Sequence, residues 1–204
     1  GLKREAQWVG AIVAALAFPA VEKFAPGSFD HHNVELVLGM GAALGLMRME
    51  RAPRAAGFAG LALGVAMGTA AEAVPMVAAA LLVAGVLWLL KPRAFAQGLA
   101  WLGAGLGASS IVMFLTMVPV SDWGRPVCDA MSTPFLGFGV LGAAVAVVLG
   151  VGAPNSPTST IGRRLGLSAT LGSAALLAIA VLFPGCVGGG YSAGAVPGVS
   201  REVP

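Results

Sequence analysis

Residues 74–90 read VPMVAAALLVAGVLWLL, a run without a single charge, closed by Lys91, Pro92 and Arg93. A helix rises about 1.5 Å per residue and a bilayer's hydrocarbon is roughly 30 Å thick, so a run of this kind comes close to a membrane span. Six more stretches repeat the pattern, from about Gln7 to Val21, Val34 to Met47, Ala55 to Ala71, Phe95 to Val118, Phe135 to Gly152 and Leu165 to Phe183. Only Glu72, Ala73 and Pro75 separate the third and fourth of the seven, which predicts a tight helical hairpin. Backbone hydrogen bonds in lipid must close within each segment, so the spans are expected to be helices. The expected fold is an all-α polytopic bundle of about seven spans.

Composition points the same way. Of 204 residues, 57% are hydrophobic and 10% are charged, with 30 glycines outside the hydrophobic share. The mean hydropathy is +0.87. Soluble domains carry about 25% charged residues and about 45–50% apolar ones with glycine included, so a soluble globule is excluded. Low charge excludes a disordered chain, and the lack of a Gly-X-Y period excludes collagen. Residues 1–186 form the expected membrane domain, and 187–204, rich in Gly, Pro and Ser, an expected flexible tail.

The charges orient the bundle. With the N-terminus inside, the inner ends hold Lys3, Arg4, Arg48, Arg51, Arg54, Lys91, Arg93, Arg163 and Arg164, nine of the twelve basic residues. Lys23, Arg125 and Arg201 fall outside. This is the asymmetry of the positive-inside rule over short loops, and it leaves the C-terminus outside. Acids show the reverse bias: Glu22, Asp30, Glu35, Glu72, Asp122, Asp129 and Glu202 lie at the outer face, Glu5 and Glu50 at the inner. The basic residues form short clusters between apolar runs, so the net charge of +3 does not indicate a nucleic-acid partner.

Both cysteines, Cys128 and Cys186, fall on the outer side. An oxidising compartment permits a bridge between them, and two small inert thiols are the alternative. Gly60, Gly64 and Gly68 recur at four-residue spacing, and Gly103, Gly105 and Gly107 crowd another span. Such stripes permit close helix approach and read as packing.

The most unusual passage is Asp30-His31-His32-Asn33-Val34-Glu35, at the outer mouth of the second span. Ionisable groups near membrane depth are costly and often functional. On a helix, Glu35 is four residues from His31 and three from His32, so it reaches either. Imidazole with carboxylate suits a divalent metal or a proton-transfer pair. An N-cap Asp30 and a dipole-complementing Glu35 are the ordinary alternative. Glu72 at the hairpin tip is a second candidate, with a water-facing turn carboxylate as its plain reading. The third polar island holds Asp122, Trp123, Arg125, Cys128 and Asp129. Trp123 there suits an interfacial anchor, and Arg125 either a phosphate contact or a pair with a neighbouring acid. Phosphate-binding glycine loops and the serine- and zinc-hydrolase motifs are missing.

Phe29-Asp30-His31-His32-Asn33-Val34-Glu35, followed by a basic loop at Arg48 to Arg54, a glycine-rich span, and Glu72 ahead of Pro75, resembles the GT-C class of polytopic membrane glycosyltransferases, including relatives of oligosaccharyltransferase catalytic subunits. The passages Cys128 to Ser132 and Phe183 to Cys186 are similar to bacterial members of that group. The resemblance implies an enzyme of the bacterial inner membrane that moves a sugar from a polyprenyl-phosphate donor to an acceptor on the non-cytoplasmic face. It implies Asp30, Glu35 and Glu72 as catalytic carboxylates and His31, His32 and Arg125 as substrate-binding groups. It also implies Mg2+ or Mn2+ held by Asp30 and His32. The class usually has more spans and an earlier acidic loop, so either a part of a longer enzyme or a degenerate copy is expected.

Two other classes remain open. A small ion-coupled transporter would use Glu35, Glu72 and the histidines around a midplane cavity. An accessory subunit of a larger membrane complex would pack through its glycine faces and tolerate substitution at Asp30 or His32.

Overall fold

The computed structural model describes residues 31–152 and 160–186. The first expected span, Asp30 and the expected tail lie outside the described residues. Six α-helices are described: α1 (His31–Met47), α2 (Pro53–Thr69), α3 (Val74–Leu90), α4 (Pro92–Met117), α5 (Thr133–Val151) and α6 (Ile161–Leu182). The described residues contain no strand.

Proline sets several of the boundaries. α2, α3, α4 and α5 each carry proline in the first two helical positions. There its missing N–H costs nothing and its fixed φ favours the helix. α6 instead starts at Thr160, whose hydroxyl accepts a hydrogen bond from the Arg163 amide. Short connections between most of the helices make consecutive ones run in opposite directions. The hairpin between α2 and α3 turns through a 3-10 segment, Ala71–Ala73, that carries Glu72.

Among the described residues, four segments are long and apolar enough to cross a membrane: Ala71–Leu90, Pro92–Met117, Thr133–Val151 and Ile161–Leu182. The chain is an integral membrane protein on this ground. α1 and α2 have 17 residues each, about 26 Å at the helical rise, which is short of a full hydrocarbon thickness.

α4 is the central helix, with α2 and α5 packed along it, α1 against α2, and α6 against α5. Its contact with α2 is made by glycine. A methyl group added at Gly60 would run into the Leu102 carbonyl, one at Gly64 into the Ser109 hydroxyl, and one at Gly105 into the Gly57 carbonyl. Gly103 faces the other way, where an added Cβ would stand 2.6 Å from the Ala143 carbonyl of α5. Small residues two apart on α4 thus serve opposite neighbours, and dispersion between closely set backbones replaces the hydrophobic drive that lipid cannot supply. Ser109 donates to Gly105 in its own helix at 2.9 Å and reaches Gly60 across the interface at 3.4 Å. Trp88, Leu63, Leu102 and Leu106 fill the core beside this seam.

α6 differs from the rest, with none of its 22 residues buried. It borders the bundle without entering the core. A disulfide between Cys128 and Cys186, with Cα atoms 5.3 Å apart, ties the turn that follows it to the α4–α5 connection.

Candidate functional site

The alternating helix directions gather the start of α1, the α2–α3 turn, the α4–α5 connection and the end of α6 at one end of the bundle. The other end collects Arg48, Arg51, Arg54, Lys91, Arg93, Arg163 and Arg164, with Glu50 among them. We call these the histidine end and the basic end.

At the histidine end, His32 Nδ1 lies 3.5 Å from Glu35 Oε2 within α1 and 3.4 Å from Glu72 Oε2 on the hairpin turn. Glu35 meets His32 at i, i+3, as helical spacing allows. Glu72 arrives only because α2 and α3 carry the turn back beside the start of α1. The three side chains grade from inside to out: Glu35 is 14% exposed, His32 33% and Glu72 60%. The rings of His31 and His32 lie 4.2 Å apart and tilted. Adjacent helical side chains diverge by about 100°, yet at the helix start these two converge.

One ligating atom from each of His31, His32 and Glu72 can be chosen so that all lie within 4.8 Å of one another. That spacing could hold a divalent ion, and two imidazoles with one carboxylate suit a borderline ion such as Zn2+ or Fe2+; of the two oxygen-preferring ions, Mn2+ accepts imidazole more readily than Mg2+. Glu35 supports the fit. Its second oxygen, Oε1, is buried and finds no hydrogen-bond partner among the described residues, an arrangement that costs about 1–3 kcal/mol unless something answers it. A carboxylate behind a ligating histidine is the usual way its ring is oriented.

His31 and Glu72 also line a cleft of about 640 Å³. Its walls include Asp129, the Cys128–Cys186 bridge, and the apolar side chains of Phe135 and Phe138. The α4–α5 connection that presents Asp129 is held by its own polar contacts. Trp123 Nε1 donates to the Val118 carbonyl at 3.2 Å, Thr133 Oγ1 to the Trp123 carbonyl at 2.7 Å, and Ser132 Oγ to the Val127 carbonyl. Trp123 also packs on Phe114, with ring centres 5.6 Å apart.

The structure therefore brings together His31, His32, Glu35 and Glu72. Arg125 is not among the cleft residues: it is 80% exposed and pairs with Asp122 at 3.5 Å. Asp30 lies outside the described residues, so the metal-ready trio here is His31, His32 and Glu72. Asp129, which the sequence places in the third polar island without a role of its own, lines the cleft.

No family model, curated protein or solved structure matches this chain.

Proposed function

We propose that the chain is a metal-dependent membrane transferase of the GT-C kind, acting on a sugar carried by a polyprenyl phosphate at the histidine end. In this reading the bundle has about seven spans, sits in a bacterial inner membrane with its N-terminus inside, and presents the histidine end to the non-cytoplasmic side. The observation that carries it is the joining of His31, His32 and Glu72, two of which, His31 and Glu72, line a cleft whose walls carry both polar and apolar side chains. A phosphate-headed lipid has that same division.

His31, His32 and Glu72 would hold the ion, and Glu35 would orient His32. A bound divalent ion would neutralise charge on the departing phosphate. The bond from sugar C1 to phosphate oxygen breaks, a bond from C1 to the acceptor hydroxyl forms, and the hydroxyl proton passes to a carboxylate. Asp129 lines the cleft and is outside the metal-ready trio, which leaves it for that proton; Asp30, next to His31 in sequence, is the other carboxylate of this reading. The polar groups cluster at the helix ends, which favours a transferase over a carrier with its ion path at midplane.

The test is a Mn2+ titration of the protein in lipid nanodiscs containing polyprenyl phosphate. Saturable binding weakened at least about tenfold by both His32→Ala and Glu72→Gln supports the reading. Absent binding, or binding indifferent to both substitutions, overturns it.

A further inference from the structure

A second, apolar groove of about 450 Å³ runs between α3, α5 and α6. On α6 its wall includes Leu165, Ser168, Gly172, Leu176 and Ile179. From Leu165 to Ile179 the helix rises about 21 Å, more than the roughly 15 Å of hydrocarbon in one leaflet. Leu89 and Leu149, near the basic ends of α3 and α5, line it too. The groove thus extends toward the basic ends of these helices.

No cation is among its lining residues, but Arg164 directly precedes Leu165, which is one of them. Arg164 stands one turn before Ser168, whose hydroxyl donates to the Arg164 carbonyl at 2.9 Å, and four residues put the two on one helix face. The Nε of Arg164 is buried and finds no hydrogen-bond partner among the described residues. A buried guanidinium N–H without an acceptor is costly, and the acceptor that best suits guanidinium geometry is a carboxylate or phosphate oxygen. Arg163 adjoins it, and the α3–α4 turn at the same end carries Lys91 and Arg93.

We propose that this groove is a binding site for an anionic phospholipid, with an acyl chain along α6 and the head-group phosphate at Arg164. The charge at the basic end and the apolar lining select that occupant together. A zwitterionic lipid would fill the groove equally well but would bring a cation to an end already rich in them. The head-group end of this site, at Arg164, lies at the opposite end from the histidine cluster, although Phe138 and Ile179 line both the groove and the histidine-end cleft; the proposal does not rest on what that cluster does.

The glycines in the wall supply a clean test. A Cβ added at Gly172 or Gly85, both of which line the groove, meets nothing within 4 Å. Gly172→Leu is therefore expected to fill the groove from an open position. Native mass spectrometry of the detergent-released full chain would be titrated with phosphatidylglycerol and with phosphatidylcholine of matched chains. Expected is a saturable phosphatidylglycerol adduct, formed at clearly lower lipid concentration than the phosphatidylcholine one. Arg164→Gln should weaken it about fivefold, and Gly172→Leu should abolish it. Arg54→Gln, at the same end but away from the groove, and Gly41→Leu, on open surface of α1, should leave it unchanged. Equal binding of the two lipids overturns the proposal, as does a preference that survives Arg164→Gln and Gly172→Leu or falls equally with Arg54→Gln. Mn2+ binding, read on the same variants, reports on the histidine end separately.

Discussion

His32 Nδ1 and Glu72 Oε2 stand 3.4 Å apart although a full helical hairpin separates them in the chain. Their meeting makes the two residues one site. Glu72→Gln should therefore act like His32→Ala on Mn2+ affinity, measured by calorimetry or by loss of the free-ion spin-resonance signal. Each is expected to cost at least tenfold, and the double variant little more than the worse single, because the two serve one ion.

Glu35 touches His32 but is absent from the trio that can share an ion. Glu35→Gln is expected to lower Mn2+ affinity by about 10- to 100-fold through the orientation of His32. Glu35→Asp should recover only part, since the shorter side chain falls back from the ring. Unchanged affinity in Glu35→Gln would show that the carboxylate does not position the histidine.

The glycine seam makes a contrast of sign. Gly105→Ala drives a methyl into the Gly57 carbonyl, whereas Gly41→Ala meets nothing within 4 Å. Thermal unfolding in detergent should show Gly105→Ala destabilised by about 1–3 kcal/mol. Gly41→Ala, at an open helical position, should be neutral or stabilised by up to about 1 kcal/mol.

The Cys128–Cys186 bridge closes 58 residues of chain and fastens the end of a helix that has no buried residue. Reduction, or Cys186→Ser, is expected to lower stability by about 2–4 kcal/mol. Hydrogen exchange should rise first at the end of α6 and in the α4–α5 connection, while α2 and α4 keep their protection, since their packing does not depend on the bridge. Uniform loss of protection across the bundle would contradict this.

Orientation is testable with single cysteines. Ser121→Cys at the histidine end should react with an impermeant maleimide added to intact spheroplasts. Arg51→Cys at the basic end should react only after the membrane is opened. The reverse pattern would invert the bundle and move the proposed site to the cytoplasmic face.

The helical hairpin around Glu72 and the extents of the four long apolar helices were legible in the sequence, because uninterrupted apolar runs closed by charges, glycine and proline declare themselves locally. The separation of basic from acidic residues between alternate connections was legible in the same way. The i, i+3 relation of His32 and Glu35 follows from helical spacing alone. Even the stripe of Gly60, Gly64 and Gly68 announced a packing face, though not its partner.

What the residue order determined by itself is a helical membrane chain with its chemistry-bearing side chains sorted to one end, since hydropathy and charge act within each segment. Only the tertiary structure decided that Glu72 completes the pair formed by His32 and Glu35, that Asp129 shares a cleft with His31 and Glu72, and that Arg125 pairs with Asp122. It alone also decided that α6 walls an apolar groove with α3 and α5. These contacts join residues far apart in the chain, and their distances depend on how closely the helices pack. That closeness is set by glycine meeting backbone at interfaces such as Gly60 on Leu102 and Gly105 on Gly57, a pairing of surfaces that no single segment's pattern contains.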